Sequence, residues 1–159
     1  MKRQGKIRHY GVACHRIEDA LLCSSYSGIS SLQVDISLLD QGPIISILPM
    51  ALEKGIAVIG NHPRAMGLLT NNYFDMMGDT SFFDNKEFAK RKEKAGEFRF
   101  LIKENRTLSQ AAIQYVLQLE GIAVQIPRSV NRAELEENLG ALSAPPLTKQ
   151  ELEKIRLLS

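Results

Sequence analysis

Apolar and polar positions along the chain change rhythm in a regular way. Short apolar runs alternate with longer stretches in which apolar residues recur at helical spacing. Ile7–Ala13, Leu32–Ile36, Ile56–Ile59 and Ile122–Ile126 are the short runs and are predicted as strands. Ile17–Tyr26 carries Ile17, Ala20 and Leu21 on one face. It opens on Glu18 and Asp19, whose charge complements a helix dipole, and Ser27-Gly28 stops it. Ile44–Lys54 repeats at helical spacing, with Pro49 expected to kink or shorten it and Gly55 to cap it. Thr107-Leu108-Ser109-Gln110 spells a capping box before a face of Ala111, Ala112, Tyr115, Val116 and Leu119. Arg132–Leu142 is a further helix. After the break at Pro145-Pro146, Thr148 and Glu151 open a last one over Thr148–Leu158.

The order is strand then helix, four times, with a terminal helix. Such alternation implies parallel strands joined by helical crossovers, so the fold class is α/β. The 159 residues are expected to form a single domain, with residues 71–106 as an irregular insertion. Lys86–Arg106 holds eight bases and four acids and reads as a solvated helical face. In parallel βα folds ligands sit at the C-terminal ends of the strands. Those ends are Ala13-Cys14-His15, Ile36–Asp40, Gly60-Asn61-His62 and Pro127-Arg128-Ser129, where polar groups gather. No strand is followed by Gly-x-Gly-x-x-Gly, which argues against a Rossmann site.

Composition narrows the function classes. A formal charge of +2 is too small to argue for nucleic acid or an anionic membrane, and 6% aromatic content without Trp gives no base-stacking surface. Cys14 and Cys23 read as reduced thiols of a cytoplasmic protein, with no metal-ligand spacing around them. The basic start Met1–Lys6 lacks the apolar run of a signal peptide, and no run reaches transmembrane length.

The stretch Ile126–Asn138 carries the clearest chemistry. An apolar run ends in Pro127, a base and a hydroxyl follow, and a helix opens. The first N–H groups of a helix have no internal partner and the dipole is positive there, so the layout suits a phosphate. The alternative is structural: Arg128 and Ser129 merely cap the helix, for which Asn131 is the better N-cap, and Glu136, Glu137 and Asn138 form a solvated face. Gln33 also reads as a satisfied polar group inside a barrel.

Four segments in this order resemble the aldo-keto reductases. Gly5–Val12 is similar to their fifth strand, Leu32-Gln33-Val34 with Leu38-Leu39-Asp40 to the sixth, and Gly55–Ile59 with Pro63 and Gly67–Thr70 to the seventh. Ile126–Leu139 resembles the eighth strand and the cofactor-clamping helix. The resemblance implies a partial (β/α)8 TIM barrel of about four βα units plus a C-terminal helix. It also implies hydride transfer between NADP or NAD and a carbonyl or alcohol. Met1–Gln4 corresponds to the tail of the fourth helix. The family's catalytic Asp, Tyr, Lys and His belong to the first half and find no counterpart here, and Tyr10, Tyr26, His15 and His62 sit at other positions.

Cofactor residues carry over unevenly. Gln33 matches the glutamine that bonds the nicotinamide carboxamide, whereas Ala13 and Cys14 stand where many members have Ser-Asn. Asn61 replaces a ring-stacking tyrosine. His62 and Arg64 lie on the loop that passes the pyrophosphate. Arg128 and Ser129 match the pair that meets the 2′-phosphate, Asn131 follows them, and Glu137 and Asn138 match the pair that reads adenine. Glu134 stands where NADPH-dependent members often carry arginine. A carboxylate beside a dianion repels it by roughly 1 kcal/mol even in a watery dielectric, so weak NADP/NAD discrimination is expected. Three readings follow: a fragment or split product of a reductase whose first half is lost or encoded separately as a complementary half-barrel chain, a cofactor-binding relic without turnover, and an interaction protein whose two copies pair edge to edge as a homodimer and bind no nucleotide.

Overall fold

The computed structural model describes residues 1–71 and 85–158. Four parallel strands form one sheet in the order β1 (Gly11–Cys14), β2 (Ser31–Asp35), β3 (Ala57–Asn61) and β4 (Ile122–Ile126). Among the described residues six α-helices accompany them: α1 (Ile17–Ser24), α2 (Gly42–Lys54), α3 (Asn85–Glu97), α4 (Leu108–Leu117), α5 (Arg132–Gly140) and α6 (Lys149–Leu157). Each strand is followed by helix, and consecutive strands are neighbours, as βα crossovers require. The α/β half-barrel reading is therefore correct.

Differences from the predicted boundaries have local causes. Strand β1 begins at Gly11 rather than Ile7, where its parallel pairing with β2 starts, and a turn capped by Gly5 at φ +68° precedes it. Gly11 itself approaches β2 so closely that a Cβ would lie 2.1 Å from the Ser31 hydroxyl, so only glycine fits. Helix α2 runs through Pro49 without being shortened. Pro49 removes the bond to the Ile45 carbonyl, but both residues are solvent-exposed, so water can satisfy that oxygen. The charged run forms helix α3 over Asn85–Glu97, within the span expected to be irregular. Residues 72–84 of that span lie outside the described residues. Both capping boxes form as read, Thr107 with Gln110 and Thr148 with Glu151.

One face of the sheet is the floor of the core. Leu32 and Val58 are wholly buried there, in one cluster with Ile47, Leu48 and Ala51 of α2 and Leu108, Ala111 and Val116 of α4. Phe98 and Leu101, in a 3-10 turn after α3, and Ile155 of α6 join it. The opposite face is open. Cross-strand register aligns Ala13, Gln33, Ile59 and Val124 on it, and Asp35, Asn61 and Ile126 above them. Val124 and Ile126 are 48% and 46% exposed. Parallel sheets ordinarily have both faces covered.

The helix beside β4 shows the same incompleteness. On α5 only Asn138 is buried, while Leu135 and Leu139, and Leu142 just beyond, are exposed on one stripe. Strands β1 and β4 are the sheet's two edges.

Arg106 locks the C-terminal helix to this core. Its buried guanidinium donates to the carbonyls of Leu101, Pro145 and Pro146 and to the carboxylate of Glu151. Burial opposes ionisation of Glu151, but the bonds from Arg106 and the Thr148 backbone outweigh it and hold its pKa below the ordinary 4.5.

Two outcomes follow from this packing. Leu32→Ala should cost about 2–5 kcal/mol in urea unfolding, whereas Ile45→Ala, on the solvent side of α2, should stay within about 0.5 kcal/mol. The Glu151 carboxyl ionises more readily folded than unfolded. Its stabilisation is thus complete above pH 4.5 and lost as pH falls through the lower folded value. Glu151→Gln should lower stability at neutral pH and flatten the acid limb of a pH–stability curve.

Candidate active site

The sheet's C-terminal ends build two adjoining constellations. The first centres on Asp35, the last residue of β2, whose importance the sequence did not reveal. Its Oδ1 lies 2.7 Å from Asn61 Nδ2 and 3.0 Å from His62 Nδ1; its Oδ2 lies 3.3 Å from His15 Nδ1. Three strand ends thus converge on one carboxylate. Burial opposes its charge, yet the bonds from Asn61, His15 and His62 outweigh it and hold its pKa below the ordinary 3.8. The signal available in the sequence was alternation: Asp35 is two residues beyond Gln33 on the same strand and so shares its face.

His62 sits between that charge and an amide. Its Nδ1 is 3.0 Å from both the Asp35 carboxylate and the Asn61 amide nitrogen. The carboxylate accepts an N–H from this nitrogen and the amide offers one to it, so the two contacts call for opposite tautomers of the ring. His62 is also conformationally unusual. Its φ is +50°, and Ala65 and Met66 in the same loop have φ of +48° and +56°. Such values for non-glycine residues are sparse and concentrate at functional sites.

A cavity of about 360 Å³ opens beside this cluster, lined among others by His15, Asp35, His62, Ile17, Pro43 and Met66. Arg91 of α3 closes one side through two bonds to Asp40, 2.8 and 2.9 Å, so its charge is spent within the protein. Cys14 also lines the cavity, but burial, with Cys23 adjacent, pushes its thiol up to about 11, far from a nucleophilic thiolate. Tyr115 is no proton donor here either: burial pushes its phenol up to about 12, and its hydroxyl is bound to Gln41. Among the described residues no group of His, Cys, Asp and Glu side chains is arranged to hold a metal ion.

The second constellation is the loop between β4 and α5. Arg64, from the loop after β3, is 4% exposed and donates to the Arg128 carbonyl and, at 3.1 Å, to Glu134. It ties the exit of β3 to the start of α5. The sequence placed Arg64 beside a pyrophosphate; here its Nη2 serves the protein itself. Glu134 turns toward Arg64 and also accepts the Val130 N–H at 3.3 Å. The expected repulsion between Glu134 and a 2′-phosphate is therefore partly cancelled by a buried cation. Asn131 caps α5 by accepting the Glu134 N–H at 2.9 Å. Asn138 donates to the Ser129 hydroxyl at 2.8 Å, and its own Oδ1 is buried with no hydrogen-bond partner. Arg128 remains exposed, while Glu137 is half-buried.

The predicted cofactor residues thus fall into groups. Gln33, Asn61 and His62 meet near the open sheet face and the Asp35 cluster. Arg128, Ser129, Asn131, Glu137 and Asn138 surround the N-terminal half of α5, with Arg64 bracing them.

The aldo/keto reductase family profile matches residues 1–159. The chain belongs to the aldo/keto reductase family. It is 28% identical over 159 residues to the uncharacterized oxidoreductase YqkF of Bacillus subtilis (strain 168), covering 98% of this chain and 51% of that protein. It is 26% identical over 169 residues to aldo-keto reductase str7 of Strobilurus tenacellus, covering 99% and 50%. Among solved structures, the apo and holo forms of aldo-keto reductase AKR11C1 from Bacillus halodurans superpose with TM-score 0.76 at 25% identity. They are covered over 53% and 52% of their length, and this chain over 99%. The chain therefore spans about half the length of the relatives it matches. The fold extends to the glycerol dehydrogenase AKR11B4 of Gluconobacter oxydans, TM-score 0.71 at 19% identity.

The brace is testable in this aldo/keto reductase chain. Arg64→Met leaves the Glu134 carboxylate, 13% exposed, without its cation. Breaking one partner of such a pair should cost about 3–5 kcal/mol in denaturant unfolding. Hydrogen exchange at the first turn of α5 should accelerate in the same variant.

Proposed function

We propose that this chain is the cofactor-holding half of a nicotinamide-dependent oxidoreductase that interconverts a carbonyl and an alcohol. When bound, the cofactor supplies or accepts the hydride. Family membership supports the reaction class, and the loop before α5 is the observation that carries the cofactor role. There an exposed cation, Arg128, a hydroxyl, Ser129, and a helix N-terminus stand together, braced from behind by Arg64. The residues fit the group: Asn138 Oδ1 is a buried acceptor that the protein leaves unpaired, beside the loop expected to hold adenosine. Gln33, Asn61 and His62 would face the nicotinamide end, and Arg128, Ser129, Asn131, Glu137 and Asn138 the adenosine end.

NADP and NAD are both taken on this reading. Arg128 favours a 2′-phosphate, but Glu134 already occupies the Val130 N–H that an anion would seek. The family's catalytic Asp, Tyr, Lys and His find no counterpart in these 159 residues, so efficient turnover calls for a second βα body. The open sheet face, the edges β1 and β4 and the leucine stripe of α5 are the surfaces it would cover.

A second reading, pairing of two copies edge to edge, draws on the same exposed surfaces. The absence of any helix long and apolar enough to cross a membrane among the described residues is compatible with either, as is a cytoplasmic location.

Fluorescence titration with NADPH is the test of cofactor binding. The signal should saturate, and Arg128→Glu should abolish saturation. An unchanged curve after that substitution removes the site. Sedimentation separates the two readings: a dimer dissociated by Val124→Lys supports pairing of copies, and a stable monomer excludes it.

A further inference from the structure

Two thiols have no part in the cofactor reading, and they lie side by side. Cys14 ends β1, Cys23 sits in the last turn of α1, and both are free. We propose that Cys14 and Cys23 form a reversible redox modification site, which a small-molecule disulfide closes into an intramolecular bond that pins α1 to the edge of the sheet.

Their placement follows from two periodicities. Along β1, alternation turns Val12 and Cys14 inward, away from the side that exposes Gly11 and Ala13. Along α1, Ile17, Ala20, Cys23 and Ser24 recur at helical spacing and form the stripe that packs on the core. The chain reverses between Cys14 and Ile17, so the two faces meet and the Cys14 thiol lies against that of Cys23.

Access is divided between them. Cys14 is 6% exposed, and burial, with Cys23 adjacent, pushes its thiol up to about 11. Such a thiol reacts poorly with a reagent from solvent. Cys23 is only partly buried, beside exposed Leu22, and is the point of entry.

Helix α1 can adjust to the bond. It has eight residues, and its N-cap, Arg16, makes no side-chain cap bond. Helices this short are marginal without tertiary contacts. Its anchors include fully buried Ala20 and Lys54 of α2, which donates to the Ser24 carbonyl and hydroxyl, both at 3.2 Å. Arg16 and Ile17 line the cavity together with Cys14. A bond between the two sulfurs therefore fixes the helix that carries part of the cavity wall.

The step balances. The Cys23 thiolate attacks one sulfur of the small disulfide, a mixed disulfide forms on Cys23 and one small thiolate leaves. Cys14 gives its proton to solvent, its sulfur attacks the Cys23 sulfur and the second small thiolate leaves. Two protein thiols are oxidised, the reagent's S–S bond is reduced to two thiols, and an added dithiol reverses both exchanges.

The test is intact-mass spectrometry of the full chain, folded and dilute, with hydroxyethyl disulfide as the probe. The parent chain should lose two hydrogens and keep no adduct, and dithiothreitol should restore it. Cys14→Ala should stop at one stable adduct, on Cys23. Cys23→Ala should react about tenfold more slowly than Cys14→Ala when folded, and at the same rate in urea, where burial no longer separates the thiols. In the closed parent, amide hydrogen exchange along α1 should slow while that along α6 stays as it was. A parent chain that keeps the adduct without closing overturns the proposal, as does one that links only to other chains or does not react. Faster reaction at Cys14 than at Cys23 does the same, and unchanged exchange along α1 overturns the pinning. None of these signals involves NADPH, so the cofactor reading stands or falls separately.

Discussion

A parallel sheet covered on one face is the constraint on which this molecule turns. Helices α2 and α4 bury Leu32 and Val58 from one side, and the other side presents Gln33, Asp35, Asn61, Val124 and Ile126 to solvent. That arrangement costs apolar exposure. It also places the polar residues of the strand ends where a ligand can reach them. The same open geometry leaves two unpaired edges and a leucine stripe on α5, so the core and the candidate site share one cause.

Charge is handled by pairing rather than by solvent. Arg106 with Glu151 fastens the last helix, Arg64 with Glu134 fastens the loop before α5, and Arg91 with Asp40 closes the cavity. Two of these arginines are almost wholly buried and spend their donors on backbone carbonyls as well. Buried pairs of this kind give modest net stability, but losing one partner is expensive, which makes them geometric clamps. Arg64 shows the consequence for function. A residue whose place in the chain suggests ligand contact holds the loop before α5 in shape.

Much of the architecture was legible in the sequence because local rules governed it. Strand and helix order followed from periodicity, and both capping boxes formed as written because Thr and Gln or Glu at that spacing satisfy the same two amides anywhere. Asn131 capped α5 for the same reason. Pro49 was harder: its effect on α2 depended on whether the freed carbonyl faced water, which periodicity does not state. Gly11, the first residue of β1, answers to the neighbouring Ser31, a residue twenty positions away, so its need for glycine is not visible locally.

The sequence by itself determined the parallel βα order and the family, since these rest on local spacing and on residue types in register. Only the tertiary structure decided what those residues face. It turned Glu134 toward Arg64 and so softened its conflict with a phosphate. It gathered His15, Asn61 and His62 on Asp35. The physical reason is that hydrogen bonds of about 3 Å between residues twenty or more positions apart depend on strand register and loop direction, and neither is written in any one segment.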